Sequence, residues 1–326
     1  MTGLNFEDIE VAAERLNGVA LETPLIENSL LNQKTGGRIL LKAETLQHCG
    51  SFKFRGAYNL LSQLSAEDRA RGVLAWSSGN HAQGVARAAK LLGIRARILM
   101  PDDAPRAKTD EVKFYGGDVI PYNRYKDVRE DIGRAIIEEN GYCLAPPYDH
   151  FHTMAGQGVV GLEALAQAKR LDLEFDEFVT CCGGGGLTSG IATYLGKYSP
   201  KTRICIAEPA DYNDTQLSLE AGKRISVDVS VETICDAVAT PCPGELTFPI
   251  MQRHVSAGYA VTDQEVSAAI AWAYKYLKLV IEPGGAVAFA AVLAGKVDTQ
   301  GKTIGVTLSG GNIDSGLFSR ILDQNQ

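Results

Sequence analysis

Short β-type runs alternate with segments of helical apolar spacing along most of this chain, and that alternation limits the folds open to it. Residues 73–76, 97–100, 118–121 and 142–145 read as strands, and residues 80–92, 107–115 and 126–140 read as helices. The pattern resumes with a helix over 153–170, a strand over 177–180, a helix over 186–198, a strand over 203–208, a helix over 263–277 and a strand over 303–308. Upstream, residues 6–17 carry helical spacing, and RILLKA at 38–43 is a β-type run after the turn pair Gly36-Gly37. Strands that take turns with helices pair in parallel, and a parallel sheet needs cover on both faces. The fold class is therefore α/β. The polar stretch SAEDRARG and the proline pair Pro146-Pro147 bracket a small α/β domain at 72–149, set inside a large domain made of 1–71 and 150–326. A small ligand belongs in the cleft between two such units, outside the carboxyl ends of their strands.

Composition removes several function classes. The chain has 326 residues, 45% hydrophobic and 22% charged, enough for one large or two medium globular domains. Its 39 acidic and 32 basic side chains give a net charge of −7 with no basic run, so attraction to nucleic acid or anionic lipid lacks its usual source. The apolar stretch at 284–293 is too short to span a bilayer. The acidic start MTGLNFEDIE is unlike a signal peptide, so the chain is expected to begin where it is written. Seven cysteines without a CxxC pair point to a reducing compartment, the cytoplasm.

The informative residues are glycines at the ends of apolar runs, where a missing Cβ lets main-chain N–H groups close around a ligand. Gly183-Gly184-Gly185-Gly186 follows one strand and opens a helix that begins Leu187-Thr188-Ser189, a place suited to a phosphate. No Walker lysine follows and the spacing is not GxGxxG, which argues against a nucleotide. Ser77-Ser78-Gly79-Asn80-His81 lies at another strand-to-helix junction, where it either receives a carboxylate or phenolate or caps the helix through Ser78 or Asn80. Lys53, in GSFKFRG beside the candidate N-cap Ser51, is either a solvated lysine in a helix's first turn or a desolvated amine available for Schiff-base chemistry. Ser309-Gly310-Gly311-Asn312 ends the last strand, either as a turn or with a hydroxyl placed to bond a heteroaromatic nitrogen without protonating it.

Together SFKFRGA, SSGNHAQG, GGGGL, EPGGAV and SGGN resemble the tryptophan-synthase-β-like pyridoxal-phosphate enzymes, across essentially the whole chain. Within that group the likeness is to threonine/serine dehydratases, serine racemases and 3-hydroxyaspartate dehydratases. It implies two open, twisted, mostly parallel sheets flanked by helices, with the active site in the interdomain cleft. It implies that Lys53 holds pyridoxal 5'-phosphate as a Schiff base, that Phe52 flanks the ring and that Asn80 bonds its phenolic oxygen. Gly183, Gly184, Gly185, Gly186 and Leu187 would cradle the phosphate, Ser309 would face the pyridine nitrogen and Glu282 would lie at the ring edge.

By the same resemblance Ser77, Ser78, Asn80 and His81 receive the substrate carboxylate, and Ser78 exchanges a proton on the ring face opposite Lys53. Glu208, Asp214 and the carbonyl of Tyr212 match a Mg²⁺ site that also takes Ca²⁺ or Mn²⁺; without the resemblance they read as a solvated acidic loop. Arg129 resembles the arginine of racemases and hydroxyaspartate-acting members, a bidentate partner for a second carboxylate, and also reads as a surface arginine paired along a helix. The expected activity is β-elimination from threonine, serine or 3-hydroxyaspartate to a 2-oxo acid and ammonia. Serine racemase with side dehydratase activity is the alternative, and a non-catalytic amino-acid sensor a remote one. A homodimer is the family expectation.

Overall fold

The apolar run TIGVTL becomes a strand at the centre of the larger of two sheets. The computed structural model describes residues 3–104 and 106–325; Met1 and Thr2 of the acidic N-terminal segment lie outside the described residues. The strands among those residues are β1 (Leu25–Glu27), β2 (Arg38–Ala43), β3 (Val73–Trp76), β4 (Ala96–Pro101), β5 (Asp118–Tyr122), β6 (Cys143–Leu144), β7 (Glu177–Cys181), β8 (Arg203–Pro209), β9 (Val255–Val261) and β10 (Thr303–Leu308). They form a sheet in the order β1-β2-β10-β7-β8-β9 and a smaller one in the order β5-β4-β3-β6. Among the pairings between these strands only β1–β2 is antiparallel. Val306 of β10 lies beside Leu41 of β2 and Val179 of β7, so the carboxyl ends of β10 and β7 emerge side by side.

Helices cover both sheets, as parallel pairing requires. The helix Pro283–Leu293 is buried along nearly its whole length, which explains why its sequence is apolar all round and shows no amphipathic stripe. The helix Lys53–Leu61 precedes the smaller sheet in sequence, yet Phe54, Ala57, Leu60 and Leu61 pack with Val85, Ala86 and Ile98 in that sheet's core. It also lies against the helix Phe151–Arg170, which packs on the larger unit.

Several boundaries differ from the sequence expectation, each for a local reason. The helix expected over 126–140 starts at Arg129, because Asp127 instead accepts from the Asn123 N–H at 2.9 Å and closes a turn. The helix expected over 263–277 keeps α geometry to Trp272, and Ala273–Leu277 widens into a π-turn that ends at Lys278 with φ of 60°. Strand β9 was hidden because VSAGYAV mixes small and polar residues on a half-buried edge.

One buried ion cluster anchors the helix Lys53–Leu61. The Arg55 guanidinium donates to Glu44 at 2.8 and 2.9 Å and to Glu163 at 2.7 and 2.8 Å. Lys42 donates to Glu163 at 2.6 Å, and Thr23 donates its hydroxyl to Glu44. Cations and carboxylates balance, so burial leaves no net charge. The nearby guanidinium holds the Glu44 carboxyl below its ordinary range despite the opposing effect of burial. Arg55→Ala strands Glu44 in the interior and is expected to destabilise the fold by about 3–5 kcal/mol, read as a lower urea midpoint; an unchanged midpoint contradicts the anchoring role.

Candidate active site

A cavity of about 960 Å³ opens between the two sheets, lined from the larger unit by residues after β7 and β10 and from the smaller by residues after β3. Lys53, the first residue of its helix, lies on its wall and donates from Nζ to the Pro147 carbonyl at 3.0 Å. The surrounding protein pulls its amine from the ordinary 10.5 down to about 8, chiefly through burial, while Cys181 and Glu282 pull the other way. The Phe52 ring lies 5.1 Å from Nζ. Helix capping by Ser51 does not occur: Phe52 occupies the N-cap, and Ser51 pairs with Gly310 in an antiparallel bridge. Phe52 N–H also donates to the Ser309 carbonyl at 3.1 Å, tying the lysine segment to the end of β10.

Across the cleft floor runs the tetraglycine turn. Gly185 has φ of 90°, and the helix Gly186–Tyr198 starts directly after it. Among the described residues no protein acceptor is recorded for the N–H groups of Gly183, Gly184, Gly185, Gly186 and Leu187, which line the cavity. They lie at a helix N-terminus, where the macrodipole adds to their pull on an anion. Tyr148 stands against this turn, and a Cβ on Gly184 would collide with its ring.

The wall from the smaller unit carries Ser77, Ser78, Asn80 and His81. Gly79 occupies the N-cap of the helix Asn80–Leu92 with no side-chain cap, so neither Ser78 nor Asn80 caps it. Ser77 Oγ instead accepts from Gly79 N–H at 3.2 Å. The His81 ring is buried and donates from Nε2 to the Ala145 carbonyl at 2.7 Å. Burial, with Lys53 nearby, lowers its pKa to about 3, so the ring is neutral and only its main-chain N–H, in the helix's first turn, is suited to an anion. Asn80 Nδ2 donates to Glu282 Oε1 at 2.5 Å, and burial pushes Glu282 up to about 7 against that donation. Ser309 and Leu187 are buried on the same cavity.

Arg129 reaches the cavity rim, paired to its neighbour Glu130 at 2.6 Å and still 43% exposed. Lys108 and Asp236 form an ion pair at 3.2 Å that joins the helix Arg106–Phe114 to the loop after Cys235, a contact no sequence motif signalled. His150 caps the helix Phe151–Arg170 by accepting from His152 N–H at 3.1 Å, and neither histidine lines the cavity.

Glu208, Tyr212 and Asp214 lie outside this cavity, at the end of β8 and in the turn leading to the helix Asp214–Ala221. Glu208 accepts from Thr215 and Gln216 N–H at 3.1 and 2.9 Å. Both Asp214 carboxylate oxygens are buried without a protein partner among the described residues. Burial, then the neighbouring Asp214, raises Glu208 to about 8, and burial raises Asp214 to about 7. No cluster of three or more His, Cys, Asp or Glu side chains assembles among the described residues, so other ligands there would be carbonyls or water.

The family model of pyridoxal-phosphate dependent enzymes matches residues 17–310. The chain is 41% identical to a serine racemase of Schizosaccharomyces pombe over 319 residues, 98% of this chain and 97% of that one. It is 40% identical to an L-threo-3-hydroxyaspartate ammonia-lyase of Saccharomyces cerevisiae over 317 residues, 97% and 96% of the two chains. The solved structure of maize serine racemase superposes with a TM-score of 0.92 at 34% identity, covering 99% of this chain and 98% of that one. Two parallel-rich sheets, the cleft between them and these likenesses agree: the chain belongs to the pyridoxal-phosphate dependent enzyme family.

Proposed function

We propose that this chain is an ammonia-lyase that converts a small β-hydroxy amino acid, threonine, serine or 3-hydroxyaspartate, to a 2-oxo acid and ammonia, the water lost in the β-elimination being taken up again when the released enamine hydrolyses. The observation that carries the reading is an amine with its pKa lowered to about 8 in a cleft that also holds a run of N–H groups with no acceptor among the described residues. The residues fit pyridoxal phosphate: Lys53 would be the amine for its aldehyde, and Gly183 to Leu187 would offer its phosphate N–H donors that have no protein acceptor among the described residues. Phe52 and Asn80 would flank and bond the ring, Glu282 would lie at its edge, and neutral Ser309 would face its nitrogen. When bound, the cofactor supplies an electron sink for negative charge at the substrate α-carbon.

The remaining work falls to the chain. Lys53 Nζ, lowered to about 8, can accept and return a proton near neutral pH. Ser77, Ser78, Asn80 and the N–H groups of the first helical turn, His81 included, orient the substrate carboxylate. Residues 72–149 act as the small domain and, with 1–71 and 150–326 as the large one, exclude water from between them. Arg129 binds the second carboxylate of a dicarboxylic substrate by exchanging Glu130 for it.

A second reading, serine racemase, is favoured by the racemase relative and by Ser78 Oγ on the cleft wall, a hydroxyl able to return a proton to the substrate. We further propose that Glu208, Asp214 and the Tyr212 carbonyl hold Mg²⁺, Ca²⁺ or Mn²⁺, a reading supported by the unpartnered Asp214 oxygens. The protein is proposed to be a cytoplasmic homodimer. No helix among the described residues is long and apolar enough to cross a membrane.

Oxo-acid release from L-threonine, L- and D-serine and the 3-hydroxyaspartate isomers tests the activity. Lys53→Ala is expected to lower it by about a thousandfold or more, and Arg129→Ala to lower kcat/KM for 3-hydroxyaspartate alone by roughly tenfold to a hundredfold. Release surviving in Lys53→Ala refutes the lyase reading, and equal losses on threonine and hydroxyaspartate refute the role of Arg129. Chiral analysis of recovered serine separates racemisation from elimination. Added Mg²⁺ is expected to raise the Tm of the wild type and not of Asp214→Ala; equal shifts, or none, contradict the metal site.

A further inference from the structure

Asn80 is proposed above to bond the cofactor's phenolic oxygen, a task that requires its Nδ2, not its Oδ1, to face the cleft. An amide can present either end, so something has to choose. Asn312, the last residue of the SGGN turn, donates from Nδ2 to Asn80 Oδ1 at 2.7 Å and to the Cys49 carbonyl at 2.7 Å. Asn80 Nδ2 in turn donates to Glu282 Oε1 at 2.5 Å. A weaker branch joins Asn312 Nδ2 to Gln83 Oε1 at 3.3 Å, and Gln83 Nε2 donates to Glu111 Oε2 at 2.5 Å.

These bonds have a direction. Glu282 and Glu111 stand at the ends of the network as acceptors, and the Cys49 carbonyl is an acceptor only. With its amide hydrogens directed at Cys49 O and Asn80 Oδ1, Asn312 compels Asn80 to accept on Oδ1. Asn80 Nδ2 then has one hydrogen for Glu282 and a second with no protein acceptor among the described residues, on a residue that lines the cavity. Space is tight around this arrangement: a Cβ on Gly310 would collide with Glu282 Oε1 and lie 3.1 Å from Asn80 Nδ2, so the SGGN turn approaches the pair as only glycine permits.

We propose that Asn312 is a positioning residue that sets the Asn80 amide as a hydrogen-bond donor toward the cofactor. The inference rests on Asn80 facing that group. Replacing Asn312 by aspartate keeps the shape but turns the donor into an acceptor, which favours the flipped Asn80 amide with its oxygen toward the cleft. Replacement by alanine removes the constraint without imposing the wrong one.

The test is equilibrium binding of pyridoxal phosphate to the apo protein, with thermal unfolding and near-UV circular dichroism to check the fold. Asn312→Asp is expected to weaken binding by roughly tenfold to a hundredfold, the loss of one hydrogen bond to a charged acceptor, and Asn312→Ala by less. Asn80→Ala is expected to weaken it comparably, and Asn80→Ala combined with Asn312→Asp no further than Asn80→Ala alone. A general loosening of the fold would instead make the losses multiply and would make alanine at least as harmful as aspartate; either pattern overturns the inference. Unchanged binding in Asn80→Ala means that Asn80 does not face the cofactor, and both the assignment and the inference fall. Weakened binding in Asn80→Ala with wild-type binding in Asn312→Asp leaves the first standing and refutes the second.

Discussion

The lysine of this protein is held in place by main-chain hydrogen bonds between two distant segments. Ser51 pairs with Gly310, Phe52 N–H donates to the Ser309 carbonyl, and Gly311 N–H donates to the Gly50 carbonyl at 2.9 Å. Those bonds fix the start of the Lys53–Leu61 helix at the carboxyl end of β10, which the parallel register sets beside β7 and the tetraglycine turn. An amine and an anion cradle over a hundred residues apart in sequence thereby face one cavity. The buried ion cluster of Arg55, Glu44, Glu163 and Lys42 secures the same helix.

Burial does the chemical tuning. Lys53 is lowered by desolvation, His81 is kept neutral by the same effect, and Glu282 is raised, so three groups around one cavity sit away from their solution behaviour. The tetraglycine turn contributes no formal charge; oriented N–H dipoles at a helix N-terminus attract an anion without needing a counterion of their own. Amides joined by directed hydrogen bonds complete the pocket, because a carboxamide keeps one orientation only where its partners demand it.

The parts legible in the sequence were those carried by local periodicity or by glycine. RILLKA, the helix Asn80–Leu92, the helix Gly186–Tyr198 and the strand Thr303–Leu308 keep the expected bounds because pattern and tertiary environment agree. The strands Leu25–Glu27 and Val255–Val261 were not legible, since edge strands are held by pairing more than by burial of an alternating face. The expected cap by Ser51 failed because a long-range bridge claimed its main chain, which no local motif reveals. Asn312 and the Lys108–Asp236 pair likewise depend on contacts across 232 and 128 residues of chain, beyond any local pattern.

Desolvation of one lysine is the claim on which the chemistry turns, and the rate at which the apo protein captures pyridoxal phosphate under borohydride, followed against pH, tests it most directly. Only the neutral amine attacks the aldehyde, so a group with its pKa near 8 gives a rate that falls about tenfold per pH unit below that point and levels above it. A rate that keeps climbing toward the ordinary lysine value of 10.5, or a label found on a lysine other than Lys53, contradicts the account.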